Sequence, residues 1–344
     1  MPEEFDVDLL TPHLNGQPHA TGWTTHMRRS GYEAIVNYLG KSNVYYVPDF
    51  PKLIKLSYPL RVTRLLSKSY LSLHAEQAAL KGKGRLLHHL YGENTLWLSL
   101  LGHHRRPIVA TFHRPPRLLN AEMPLFWKQA IHNLAGVVVL SPTLLSYMKS
   151  SCSLMGTHIA LIPHGIDTEY FSPSEDERSN ELAISVGSYL RDPATLIRAM
   201  RIVREKAPRL KLILVSKAPT SGPDNVIVKH GITDEELLGY YRRSSFMILP
   251  LVDLVASNAM LEAMACGVPV ICPNFQSARF YMGNVPTTYD PGNANDLADK
   301  IIWLYENDDE RRKLGSEMRE RAQTFSWIRI SSMMRSFYET ILNC

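Results

Sequence analysis

The segment Asn258–Pro273, NAMLEAMACGVPVICP, constrains this chain more than any other. Leu261, Met264 and Ala265 recur at the i, i+3, i+4 spacing of a buried helical stripe. The turn Gly267-Val268-Pro269 and a strand from Val270 to Cys272 follow. Helix, tight turn and buried strand form the repeating unit of a parallel α/β sheet. Ala256, Ser257 and Asn258 supply the small residues that begin such a helix. The unpaired N–H groups and positive dipole end of a helix start suit a phosphate, and Glu262, one turn further in, can accept hydrogen bonds from a ribose. The plain alternative is a surface glutamate on an ordinary helix.

Glu262, Ala263, Ala265, Gly267, Pro269 and Val270 resemble the Glu-Ala-x-Ala-x-Gly-x-Pro-Val signature of retaining GT-B glycosyltransferases of the family-4 type. The resemblance widens outward. Ile162–Pro173, IPHGIDTEYFSP, is similar to that family's interdomain linker, and it is punctuated by Gly and Pro as a domain boundary would be. Ala183–Gly187 reads as a buried strand ending in Gly, with a helical pattern through Leu196, Ile197, Met200 and Val203 after it. In the family this strand-to-helix loop brings a basic residue to the donor diphosphate. The resemblance therefore implies Gly187, Ser188 and Arg191 as donor-binding, with Lys217 a weaker alternate. Asn225–Tyr241 resembles the next strand, Gly turn and helix, where backbone at Gly231 and Ile232 would hold the nucleobase. Phe246–Pro250 resembles the strand leading to the Glu262 helix, whose Ser257, Asn258 and Ala259 would meet the phosphates.

The amino-terminal half matches more loosely. Phe5–Leu10 reads as a first strand, and Ser30-Gly31 with the residues to Leu39 resembles the family's acceptor-side Gly turn and helix. Residues 11–29 between them are a long loop holding His13, His19, His26, Arg28 and Arg29, and loops of that length are usually functional or mobile. Pro107–His113 resembles the strand ending in a cleft-facing histidine, which implies a catalytic part for His113 with Arg191. The alternative for His113 is a structural core histidine. His164 is read chiefly as stabilising its turn.

The expected fold is α/β: two Rossmann-like domains facing across a cleft, over 1–165 (acceptor side) and 166–322 (nucleotide-sugar donor side). Residues 323–344 form a helix, about Trp327–Leu342, returning to the first domain. At 344 residues the chain has room for two domains. No apolar run approaches the roughly 18 residues that span a bilayer, and Met1-Pro-Glu-Glu is not a secretory signal. A cytoplasmic protein is expected, with peripheral membrane contact as an option. Cys152, Cys266, Cys272 and Cys344 have no metal spacing and are too few for a disulfide framework.

The net charge of +5 conceals an asymmetry, because Lys52–Arg117 contains twelve Lys or Arg against Glu76 and Glu93. A basic amino-terminal half suits an anionic acceptor or a membrane surface. In 52–70 leucines interleave with Lys52, Lys55, Arg61, Arg64 and Lys68, interrupted by Pro59. A solvated basic helix and a membrane contact both fit that pattern. No aromatic platform accompanies the charge, which argues against nucleic acid.

One departure stands out. The family's signature has a first glutamate eight residues before the second, touching the donor sugar, and Leu254 occupies that place here beside Asp253. A subset of the family carries an Asn-Ala-x-Leu-Glu form similar to Asn258–Glu262. The reading is a retaining transferase moving a hexose-type sugar from a nucleoside diphosphate, UDP foremost, with no metal or cofactor implied and an acceptor that the sequence does not name. The rivals are a GT-B binding module, a nucleotide-sugar epimerase, and a metal-dependent GT-A enzyme hinted at by Asp6-Val7-Asp8.

Overall fold

The computed structural model describes residues 6–11, 31–40, 42–46, 72–102, 104–123, 125–174, 178–217 and 221–344. The chain divides into two units, one comprising Met1–His164 with Ile328–Cys344 and the other Gly165–Trp327. Each unit is built on a six-stranded, all-parallel sheet.

The first sheet contains β1 (Val7–Thr11), β2 (Ser42–Tyr46), β3 (Leu86–His89), β4 (Ile108–Phe112), β5 (Gly136–Val139) and β6 (His158–Leu161), in the order β2-β1-β3-β4-β5-β6. The second contains β7 (Ser179–Val186), β8 (Lys211–Val215), β9 (Val226–Lys229), β10 (Ser244–Ile248), β11 (Val270–Pro273) and β12 (Thr288–Tyr289), in the order β12-β11-β10-β7-β8-β9. Read from β9, that is the 3-2-1-4-5-6 order of a doubly wound nucleotide-binding sheet, with its reversal between β7 and β10.

Burial on both faces explains the run-like composition of these strands. In β10, Phe246 and Ile248 join the core on one face while Met247, with Leu249 just beyond the strand, joins the core on the other, as the two-residue period of a strand requires. The helix Asn258–Ala265 is buried at every residue from Ala259 to Ala265. The three-residue stripe read from sequence is thus the visible part of a helix enclosed all round. Its close neighbour is the helix Asp308–Gln323, where a Cβ on Gly315 would lie 2.5 Å from the Gly267 carbonyl oxygen.

The carboxy-terminal helix Trp327–Leu342 returns to the first unit. Tyr338 meets the buried His88 of β3, Arg335 donates to the Tyr38 carbonyl, and the Phe337 ring fills the space that a side chain on Gly136 would occupy. Among the described residues no helix is long and apolar enough to cross a membrane. The four cysteines are free thiols. The basic segment 52–70, Ser30 and almost all of the 11–29 loop lie outside the described residues.

Candidate active site

In an open parallel sheet, ligands bind beyond the carboxyl ends of the strands where the strand order reverses. In the second unit that point is flanked by the segment after β7 and the segment after β10. Gly187 follows β7 with φ +97°, a backbone region favoured by glycine, and a Cβ there would sit 2.8 Å from Nη2 of Arg191. Leu190 also lies in the left-handed region, at φ 55°. For a non-glycine residue this costs about 1–3 kcal/mol and requires support from its surroundings. The support is visible. The Val252 N–H donates to the Leu190 carbonyl and the Asp192 N–H to the Pro250 carbonyl, both at 3.0 Å, with a β-bridge between Arg191 and Leu251 in the middle. The loop is thereby stapled across the switch point.

Arg191 is held within this frame. Its Nε donates to the Val186 carbonyl and its Nη1 to the Tyr189 carbonyl, both at 2.9 Å. Burial lowers its pKa to about 10, opposed by the nearby Tyr241 and Glu262, so the guanidinium stays charged at neutral pH. Ser257 caps the helix Asn258–Ala265, its side chain accepting from the Met260 N–H. The N–H groups of the first turn have no acceptor within the helix. Asn258 is half-buried and Ala259 buried.

Glu262 is fully buried, and its Oε2 accepts a 2.8 Å hydrogen bond from the Tyr241 hydroxyl. Burial first, then Glu262 itself, raises the Tyr241 pKa well above the usual phenol value. Tyr241 is the residue that sequence reading missed. The available signal was its i+4 and i+3 spacing from Leu237 and Leu238, the other buried residues of the helix Asp234–Arg243.

The remaining positions singled out in the sequence of this unit cluster along the same sheet end. The Ser188 hydroxyl lies 3.1 Å from that of Ser216 and accepts from the Lys217 N–H, while His230 Nδ1 donates to the Ser216 carbonyl at 2.5 Å. These bonds tie together the segments after β7, β8 and β9. Gly231 follows at φ +62° with open space around it, and Ile232 packs on the core that also contains Ala259. Leu254 is buried and apolar, and Asp253 folds back to accept from the Leu254 N–H.

His113 heads a separate cluster in the first unit, directly after β4. Its Nε2 lies 2.7 Å from the Leu90 carbonyl oxygen, which only accepts, so Nε2 carries the proton. Its ring stacks on Tyr91 at 4.2 Å and meets the edge of Tyr32 at 4.7 Å. The Tyr91 hydroxyl donates to Glu33, and the Glu93 carboxylate accepts from the His113 backbone N–H. Burial raises the Glu93 pKa to about 7, against the pull of backbone N–H groups and Arg114. Beneath lies a fully buried chain. His88 bonds Tyr338 through Nδ1 at 2.5 Å and Thr111 through Nε2 at 2.8 Å, and the Tyr32 hydroxyl lies 3.3 Å from Thr111. His88 is held neutral by burial, its pKa lowered to about 3. His164 is buried with its ring 5.5 Å from Tyr32. Gly31 precedes a 3-10 helix, Tyr32–Asn37, in place of the expected regular helix.

Asp8 is buried and spent on structure: it accepts from Asn43 and the Gly84 N–H and pairs with Arg106. No group of three or more metal-ligating side chains occurs among the described residues.

Comparison with known proteins follows the same division. Residues 3–170 match the model of Glycosyltransferase Family 4, and residues 181–307 match that of Glycosyl transferases group 1. The chain belongs to the group 1, family-4 glycosyltransferases. A D-inositol 3-phosphate glycosyltransferase of Arthrobacter sp. (strain FB24) is 25% identical over 214 residues, covering 54% of this chain and 51% of the relative. The chain thus spans about half the length of such curated relatives. Sucrose-phosphate synthase from Thermosynechococcus elongatus shares the fold with a TM-score of 0.74 at 21% identity, covering 98% of this chain and 99% of that one. Anabaena Alr3699/HepE, solved with UDP and glucose, has a TM-score of 0.67 at 14% identity, covering 97% and 99%. This member of the family has the GT-B fold.

Proposed function

We propose that this family-4 member transfers a hexose-type sugar from a nucleoside diphosphate, UDP foremost, to a hydroxyl acceptor with retention. One observation carries the reading: a stapled, strained loop holds a charged arginine beside a buried glutamate, next to a helix start, at the reversal of a nucleotide-binding sheet. Departure of the diphosphate leaves negative charge that needs preorganised positive groups. Arg191 spends two of its five N–H groups on carbonyls, and in this reading the others meet phosphate oxygens together with the Asn258–Ala259 backbone. A ribose diol binds at the Glu262 carboxylate beside or in place of Tyr241. The UDP complex of the HepE neighbour supports that choice of base.

In this reading His113 takes part in handling the sugar or the acceptor, with its Nε2–H committed to the Leu90 carbonyl. With Leu254 apolar and buried, backbone groups over 256–258 take the place of the family's first glutamate. The decisive experiment is thermal stabilisation by a panel of nucleotide sugars, followed by turnover of the best. A ligand at 100 times its Kd adds about 2.7 kcal/mol to the folded state. Stabilisation with neither transfer nor donor hydrolysis would leave a binding module, and no stabilisation by any donor would remove the proposal.

A further inference from the structure

The first unit holds a polar chain that the proposed reaction leaves without a task. It begins on the carboxy-terminal helix, where the Tyr338 hydroxyl meets His88 Nδ1 at 2.5 Å. It crosses two neighbouring strands, from His88 Nε2 in β3 to the Thr111 hydroxyl in β4 at 2.8 Å, and reaches the Tyr32 hydroxyl 3.3 Å further on. All four side chains are fully buried. Burial keeps His88 neutral and raises the pKa of both phenols. One imidazole nitrogen therefore donates, the other accepts, and each phenol retains its proton.

Such a chain is not needed to fill a core, since apolar side chains of similar volume would pack the same layer with no polar atom to satisfy. What a fully satisfied network adds is a unique arrangement of the groups along it. The group at its end is Tyr32, whose ring stands at 80° to that of His113 with the centroids 4.7 Å apart. The His113 ring also stacks on Tyr91 at 4.2 Å and bonds the Leu90 carbonyl through Nε2–H. Of these restraints on its orientation, the Tyr32 contact is tied to the carboxy-terminal helix. We infer that Tyr32 is a positioning residue for His113 and that Tyr338 and His88 hold it in place, so that the carboxy-terminal helix sets the orientation of the His113 ring. The inference rests on the reading of His113 as a group that handles the sugar or the acceptor.

The test is a double-mutant cycle on the full chain. Tyr338→Phe and Tyr32→Phe each remove one hydroxyl and keep the ring, and circular dichroism checks each fold; should Tyr338→Phe not fold, Tyr32→Phe carries the same comparison. Each is expected to lower kcat about tenfold, within the roughly hundredfold that a 1 Å misplacement costs, and to leave the donor KM unchanged. Neither should lower it further in a His113→Ala background, because residues that act through one group are not additive. A second readout needs no substrate. In spectra of the protein with 15N-labelled histidine, Tyr338→Phe should shift the ring signals of His113, assigned with His113→Ala, as well as those of His88. Unmoved His113 signals would confine the effect to packing around His88 and overturn the inference. Losses that multiply in the double variants would overturn it too, as would normal kcat in both phenylalanine variants beside an impaired His113→Ala. A fully active His113→Ala would instead remove the reading of His113, and the inference with it.

Discussion

Glu262 is the residue on which the donor reading turns, and its burial sharpens the test. A carboxylate removed from water is costly unless hydrogen-bonded, and Tyr241 supplies one such bond. Glu262→Ala is expected to weaken UDP binding at least about tenfold, each charge-assisted bond being worth about 1.5–3 kcal/mol; unchanged calorimetric affinity would reject the ribose assignment. Arg191→Ala should lower kcat more than it weakens ground-state binding, and Arg191→Lys should recover part of the rate. Normal turnover by the alanine variant would shift the phosphate role to the helix start. Glu93 gives a pH signature. Its pKa is raised from about 4.5 to about 7 in the fold, so its contribution to stability is fully present below the lower value and lost as pH rises through the upper. Melting curves between pH 5 and 8 should therefore fall less steeply for Glu93→Gln than for the wild type, and identical slopes would place the titration elsewhere.

Elements in this fold are held at fixed distances by absent side chains. A methyl at Gly315 would meet the Gly267 carbonyl oxygen at 2.5 Å, so Gly315→Ala must push the helix Asp308–Gln323 away from the helix that contains Glu262. Overpacking of this kind costs typically about 1–3 kcal/mol. The denaturant midpoint should drop accordingly, with nucleotide affinity falling alongside. A midpoint equal to wild type would mean that the two helices separate freely. The composition of the helix Asn258–Ala265 follows from the same packing: enclosed on every side, it has no place for a polar face, and its single charge therefore stands out.

At the scale of the molecule, the carboxy-terminal helix is part of the first unit's interior. Tyr338 is the partner of a buried, neutral His88, and Phe337 fills the groove over Gly136. Tyr338→Phe should leave the His88 Nδ1 without its bond and cost about 1–3 kcal/mol, measured by chemical denaturation of the full chain. No loss would show that the ring alone, without its hydroxyl, accounts for the packing.

Two parallel sheets, the helix start at Ser257, the Gly187 turn and the position of His113 were legible from residue order, because they depend on local periodicity, caps and glycine placement. The partners were not. Tyr241 on Glu262, Glu93 beneath His113, Tyr338 on His88 and the staple between Leu190 and Val252 join residues from 20 to 250 positions apart. No local pattern encodes which buried polar groups meet. Tertiary packing decided that, since each polar atom removed from water had to find whatever donor or acceptor the neighbouring element presented.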